Sequence, residues 1–84
     1  MKESNYQKKI SDKLESEGWY LIKLIKTNRN GIPDLIALKS DRVMFVEVKT
    51  PIGKLAKLQE FRLDELKEKG FECYYSKGVE LIKW

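Results

Sequence analysis

The chain predicts an α/β fold, a small mixed sheet flanked by helices in the order α-β-β-β-α-β, and three features carry that reading. Residues 3–17 and 55–69 have apolar side chains at helical spacing, and each stretch ends at a glycine, Gly18 and Gly70. Four short runs rich in Val, Ile, Leu and aromatic residues stand between and after them as strands. A helix between the third and fourth runs implies a crossover, so those two strands can be parallel.

The elements follow in order. In the first helix, residues 3–17, Tyr6, Ile10 and Leu14 are spaced four apart and form one stripe. Glu3 lies on the same stripe one turn earlier, with Gln7 beside it. Residues 19–26 read as a first strand, with Tyr20, Ile22 and Leu24 on one face. A polar loop, residues 27–31, leads to a second strand at 32–39, where Pro33 is tolerated near the start. Ser40, Asp41 and Arg42 make a turn into a third strand, residues 43–49, so strands two and three form an antiparallel hairpin. On the second helix, residues 55–69, Leu55, Leu58, Leu63 and Leu66 cluster on one side. Gln59 falls in the middle of that side and Arg62 beside it. Residues 71–75 read as the fourth strand, and 78–84 as a short helix rather than an edge strand.

Bulk properties narrow the chemistry. The 84 residues predict a single domain over 1–84. The longest apolar runs are four residues, as at Val43-Met44-Phe45-Val46, against the roughly 20 that a membrane span needs. The first residues lead into no apolar core of the signal-peptide kind, and the lone Cys73 allows no intrachain disulfide. Both point to a reducing, cytoplasmic setting. The chain has no histidine, which excludes Ser-His-Asp and Cys-His catalysis and the usual zinc sites. Chemistry is left to carboxylates, lysine and a hard metal ion. Net charge is +4; with Glu3, Asp34 and Glu47 given to a metal, 17 basic residues against the 10 remaining acidic ones leave a surface of +7, suited to a polyanion.

The residues that carry this chemistry converge. Glu47 and Lys49 are two apart on a strand and share a face with Phe45, whereas Val46 and Val48 point to the opposite layer. Asp34 begins the neighbouring strand, and a turn near residue 41 sets it across from Glu47 and Lys49. Asp34 and Glu47, with the backbone carbonyl of Val48, offer oxygen ligands to magnesium or a similar hard cation. Such an ion polarises a phosphoryl oxygen and lowers the pKa of a bound water, while Lys49 orients that water or stabilises developing charge. Glu3 can add a ligand, directly or through water, and Gln59 can hold Lys49, a water or a phosphate. This set can hydrolyse a phosphodiester.

Gly31-Ile32-Pro33-Asp34, then Glu47-Val48-Lys49, then Gln59, preceded by Glu3, resembles the PD-(D/E)XK nuclease superfamily and, more narrowly, its VRR-NUC group. The resemblance runs over nearly the whole chain and includes the loop 51–55 and Gly70; the segment 78–84 departs most from the pattern. It implies a restriction-endonuclease-like core, and catalytic roles for Glu3, Asp34, Glu47, Lys49 and Gln59. It also implies magnesium- or manganese-dependent cleavage of DNA, with related members acting on branched junctions. Stand-alone members of this size are similar to small phage and bacterial proteins. A homodimer is expected, because one chain holds one site and symmetric cutting of a four-way junction takes two. No base-reading module is evident, which favours recognition of DNA shape over sequence.

Plainer readings stand beside these. Glu47 and Lys49 alone would read as a solvated ion pair of little consequence. Asp34 alone would read as a cap, Glu3 as a carboxylate favoured by its helix dipole, and Gln59 as a satisfied polar residue at the core edge. Lys8, Lys9 and Lys13 read as a solvated face; Lys54 and Lys57, close after the third strand, are better candidates for backbone contacts, and the loop 27–30 is expected to border the DNA. Arg62 reads as snorkelling at its helix edge. Trp19, Tyr20, Tyr74, Tyr75 and Trp84 read as core or interface rather than base-stacking. The rival functions are a non-cleaving nucleic-acid-binding module on the same fold and a structural protein that oligomerises through its aromatic residues.

Overall fold

The computed structural model describes residues 2–84. Its elements are α1 (Glu3–Ser16), β1 (Tyr20–Lys23), β2 (Leu35–Lys39), β3 (Arg42–Glu47), α2 (Lys57–Glu68), β4 (Glu72–Lys77) and β5 (Glu80–Lys83). The five strands form one sheet in the order β1-β2-β3-β4-β5. All neighbours are antiparallel except β3 and β4, which are parallel because α2 carries the chain back between them. This is the expected α/β arrangement, a mixed sheet between two helices, and it is compatible with a restriction-endonuclease-like core.

The period-2 alternation of the strands decides what lies on each face. Leu35, Ala37, Met44, Val46 and Val48 turn to one side and are buried under Ile10 and Leu14 of α1, with Tyr6 packed against the same cluster. The stripe read from the sequence is therefore the stripe that docks α1. Burying each such aliphatic side chain contributes about 1.5–3 kcal/mol. The opposite face carries Phe45, Glu47 and, across the parallel pair, Cys73 and Tyr75. Here α2 buries Leu63.

Several expectations are corrected. The segment 78–84 is not a helix: Glu80–Lys83 pairs with β4, with Lys77 opposite Glu80. Gly78, at φ 63°, supplies the left-handed residue of a two-residue hairpin loop, and tight hairpin turns of this kind favour strand over helix. Next, β1 is shorter than expected, and its apolar residues Tyr20 and Ile22 stay 70% and 41% exposed. They lie opposite Leu38 and Ile36, on the face that α1 does not cover, while Leu21 takes the core side. Finally, α2 begins at Lys57, so Leu55 precedes it, and Leu58 is 43% exposed; of the four leucines, Leu63 alone is fully buried. Residues 48 and 49 also lie past the end of the β3 ladder.

The loop between β1 and β2 is held against α2. Arg62 does more than snorkel: its Nε donates to the Asn30 carbonyl at 2.8 Å, and its Nη1 to Glu65 Oε1 at 2.8 Å. Gly31 passes so close to α2 that a Cβ would stand 2.7 Å from Leu58 Cγ, and its φ is 79°. Gly31→Ala is therefore expected to cost about 1–3 kcal/mol, read as a lower midpoint in urea denaturation.

Candidate metal and phosphate site

The site begins where the hairpin ladder stops. The last β2–β3 pair is Leu35 with Val46, and Asp34 stands one residue beyond it. Its main-chain oxygen accepts the Leu24 N–H at 2.8 Å, extending β1. Its side-chain Oδ2 accepts the Val48 N–H at 2.8 Å, extending β3. One residue therefore joins the ends of three strands, and its carboxylate is fixed in direction. Pro33, buried just before it, donates no backbone hydrogen bond, so the bend into the strand leaves no orphan N–H there.

Glu47, the last residue of β3, is 2% exposed. Gln59 Nε2 donates to its Oε2 at 3.3 Å, and the Lys49 ammonium stands 3.7 Å from the same oxygen. Gln59 is itself fixed, since its Oε1 accepts the Ala56 N–H at 2.8 Å where α2 starts. It thus acts on Glu47, rather than on Lys49 as one of the sequence readings allowed. Burial, then the charge of Asp34 and a hydrogen bond with it, then the charge of Glu3, push the Glu47 carboxyl up to about 8. Lys49 opposes the rise without cancelling it.

Glu3, exposed in the first turn of α1, completes the group. One carboxylate oxygen from each of Glu3, Asp34 and Glu47 lies within 4.8 Å of the other two. The three come from α1, the start of β2 and the end of β3, so tertiary structure alone assembles them. Like charges this close in a partly buried site are unfavourable unless a proton or a cation joins them. The donors are all carboxylate oxygens, with no thiol or imidazole, a set that fits a hard divalent cation.

Sequence reasoning missed Ser76. Fully buried in β4, its Oγ accepts the Lys49 N–H at 2.8 Å and donates to the Lys49 carbonyl at 3.1 Å. The same carbonyl accepts the Gly78 N–H at 2.9 Å. The backbone of Lys49, past the regular ladder, is thereby held from two sides. A serine among the strand residues Glu72-Cys73-Tyr74-Tyr75-Ser76-Lys77 was the signal available, because a buried hydroxyl needs partners. Other expectations separate from the site. Trp19 is buried, with the Arg42 guanidinium 4.8 Å from its ring, and Tyr74 packs on the α1 side.

A mixed sheet with a hairpin, a crossover strand and acidic groups gathered at the strand ends is compatible with the restriction-endonuclease-like class. Residues 1–80 match the VRR-NUC domain family over nearly the full chain, and the protein belongs to that family. It is by that membership a nuclease, with DNA as the implied substrate. No curated protein is matched. Among the described residues no helix is long and apolar enough to cross a membrane.

The state of Glu47 sets a pH test. Its folded-state pKa lies above the unfolded value of 4.5, so its contribution to stability is full below 4.5 and lost as pH rises through about 8. In chelator, the melting temperature of the native chain should fall across that window relative to Glu47→Gln, whose side chain does not titrate. Parallel pH profiles for the two proteins would contradict this.

Proposed function

We propose that the protein is a magnesium- or manganese-dependent DNA endonuclease that selects branched DNA, four-way junctions included, and acts as a homodimer. The whole chain, 1–84, serves as one nuclease domain. The observation that carries this reading is the meeting of Glu3, Asp34 and Glu47 within 4.8 Å, with Lys49 3.7 Å from Glu47. Surfaces without catalytic use have no reason to bury a carboxyl group beside two others.

In this reading Asp34, Glu47 and Glu3 hold the ion, with the Val48 carbonyl as a further oxygen. The bound ion supplies positive charge to the phosphoryl oxygens and acidity to a water. Lys49 orients the attacking water and offers its ammonium to charge that develops on the phosphate. Gln59 keeps Glu47 in one rotamer, and Ser76 keeps the Lys49 backbone in register. The basic surface draws the DNA in. A buried free Cys73 is consistent with a reducing, cytoplasmic setting.

The dimer has support in the uncovered sheet face. Tyr20, Ile22 and Phe71 are 70%, 41% and 40% exposed, and the Phe71 ring meets Phe45 edge-on at 5.9 Å. An apolar face of this kind on a small chain suits a second copy, which would bring a second site to the opposite strand.

Cleavage of four-way, flapped and linear DNA in magnesium and in manganese tests the activity. Lys49→Ala and Asp34→Asn are expected to lower the rate by about 10²–10³-fold or more while circular dichroism stays native; Asn retains an acceptor for the Val48 N–H. A variant that cuts at the normal rate, or cutting that survives chelation, refutes the assignment. In sedimentation the native chain is expected to run as a dimer and Ile22→Lys as a monomer, and a native chain monomeric at high concentration refutes the dimer.

A further inference from the structure

A groove of about 330 Å³ lies between the loop after β3, α2 and β4 and has no part in the chemistry above. Its walls are Lys54 and Leu55 from the loop after β3, Glu60 of α2, Tyr75 and Lys77 of β4, and Trp84. The Trp84 ring is held at two points: its indole N–H donates to Asp64 Oδ1 at 2.7 Å, and it makes a T-shaped contact with the Tyr75 ring, centroids 6.0 Å apart at 81°. The groove also adjoins the site. Tyr75 is the partner of Glu47 across the parallel β3–β4 pair. Gly53, in the groove wall, lies so near Lys49 that a Cβ on it would stand 3.5 Å from the Lys49 Cβ.

We propose that this groove binds one unpaired nucleotide of the DNA strand next to the phosphate being cut. The proposal rests on the nuclease reading and adds the part of the substrate that the chain holds. A nucleotide has two chemistries, an anionic phosphate and an apolar ring face rimmed with hydrogen-bonding groups, and the groove offers a counterpart to each. Lys54 and Lys77 supply two exposed ammonium groups for the phosphate. Trp84 and Tyr75 supply half-buried aromatic surface for the base, a contact open to any base because each has a π-face. The Glu60 carboxylate repels a phosphate but accepts hydrogen bonds from base amino groups, so it belongs on the base side. Bases stacked inside a duplex have no free ring face to offer the wall. The subsite therefore selects the unpaired nucleotides found at flaps and opened junctions. Trp84, read from sequence as core or interface, would then contact the substrate.

The test uses the full chain with Trp19→Phe, which leaves Trp84 as the one tryptophan, and Asp34→Asn, which removes cleavage from the measurement. Labelled single-stranded oligonucleotides and a blunt duplex are titrated by anisotropy while Trp84 emission is followed. The single strand is expected to quench Trp84, and the blunt duplex to leave its emission unchanged. Trp84→Ala should weaken single-strand binding about tenfold, with Trp84→Phe close to the parent. Lys54→Ala with Lys77→Ala should lower the slope of log K against log salt by about 0.7, the value for one phosphate on a single strand, a readout independent of how Trp84→Ala folds. Unchanged Trp84 emission in the bound complex, an unaltered salt slope, or no single-strand binding would each overturn the proposal. A chain that binds the strand here but never cuts DNA in its Asp34 form would instead refute the nuclease reading alone. One that cuts normally while Trp84 stays unquenched would refute only the subsite.

Discussion

The hydrogen bond from the Val48 N–H to Asp34 Oδ2, 2.8 Å long, holds the working end of the sheet together. The β2–β3 ladder stops two residues earlier, and an N–H left unpaired at a buried position costs about 1–3 kcal/mol. Asp34 meets that demand with its side chain and meets the demand of Leu24 with its main chain. In doing so it loses the freedom to swing away from Glu47. A carboxylate used as a structural clasp is thereby kept beside a second carboxylate that would otherwise repel it.

The remaining contacts follow from that constraint. Glu47 is too buried to relieve the repulsion by moving toward water, and with no cation bound its carboxyl is pushed up to about 8. Lys49 stands close, yet at 3.7 Å it makes a loose pair rather than a neutralising one. Its position depends less on attraction to Glu47 than on Ser76 and Gly78, which hold its backbone from β4 and the hairpin after it. Stability and function therefore pull apart here. The group that would be best replaced by a hydrophobic residue for folding is the one that the proposed chemistry uses.

Much of this was legible from residue order. A period of two put Phe45, Glu47 and Lys49 on one face and Val46 and Val48 on the other, and the structure has the same division. Helical spacing put Glu3 on the stripe with Tyr6, Ile10 and Leu14, and placed Gln59 on the inner side of its helix. What escaped were features set by partners distant in the chain. Ser76 looks like any strand serine until Lys49 is found beside it. The last strand looked helical because four residues carry too little pattern to outweigh a guess, and Gly78 shows its turn only through φ. Tyr20 and Ile22 alternate as core residues do, but nothing in β1 says that α2 stops short of covering them.

The parallel pairing of β3 with β4 has a temporal consequence. Such a pair cannot close until the helix between them has been made and folded back, and contacts across long stretches of chain form late. Lys49 has no seat until Ser76 arrives, and Ser76 lies near the far end of the sequence from Glu3. A polypeptide still leaving the ribosome carries all three acidic groups but lacks the strand that sets the lysine. The lysine is thus seated only after β4 has joined the sheet, and a chain cut short before Ser76 would carry the three acidic groups without an ammonium fixed beside them.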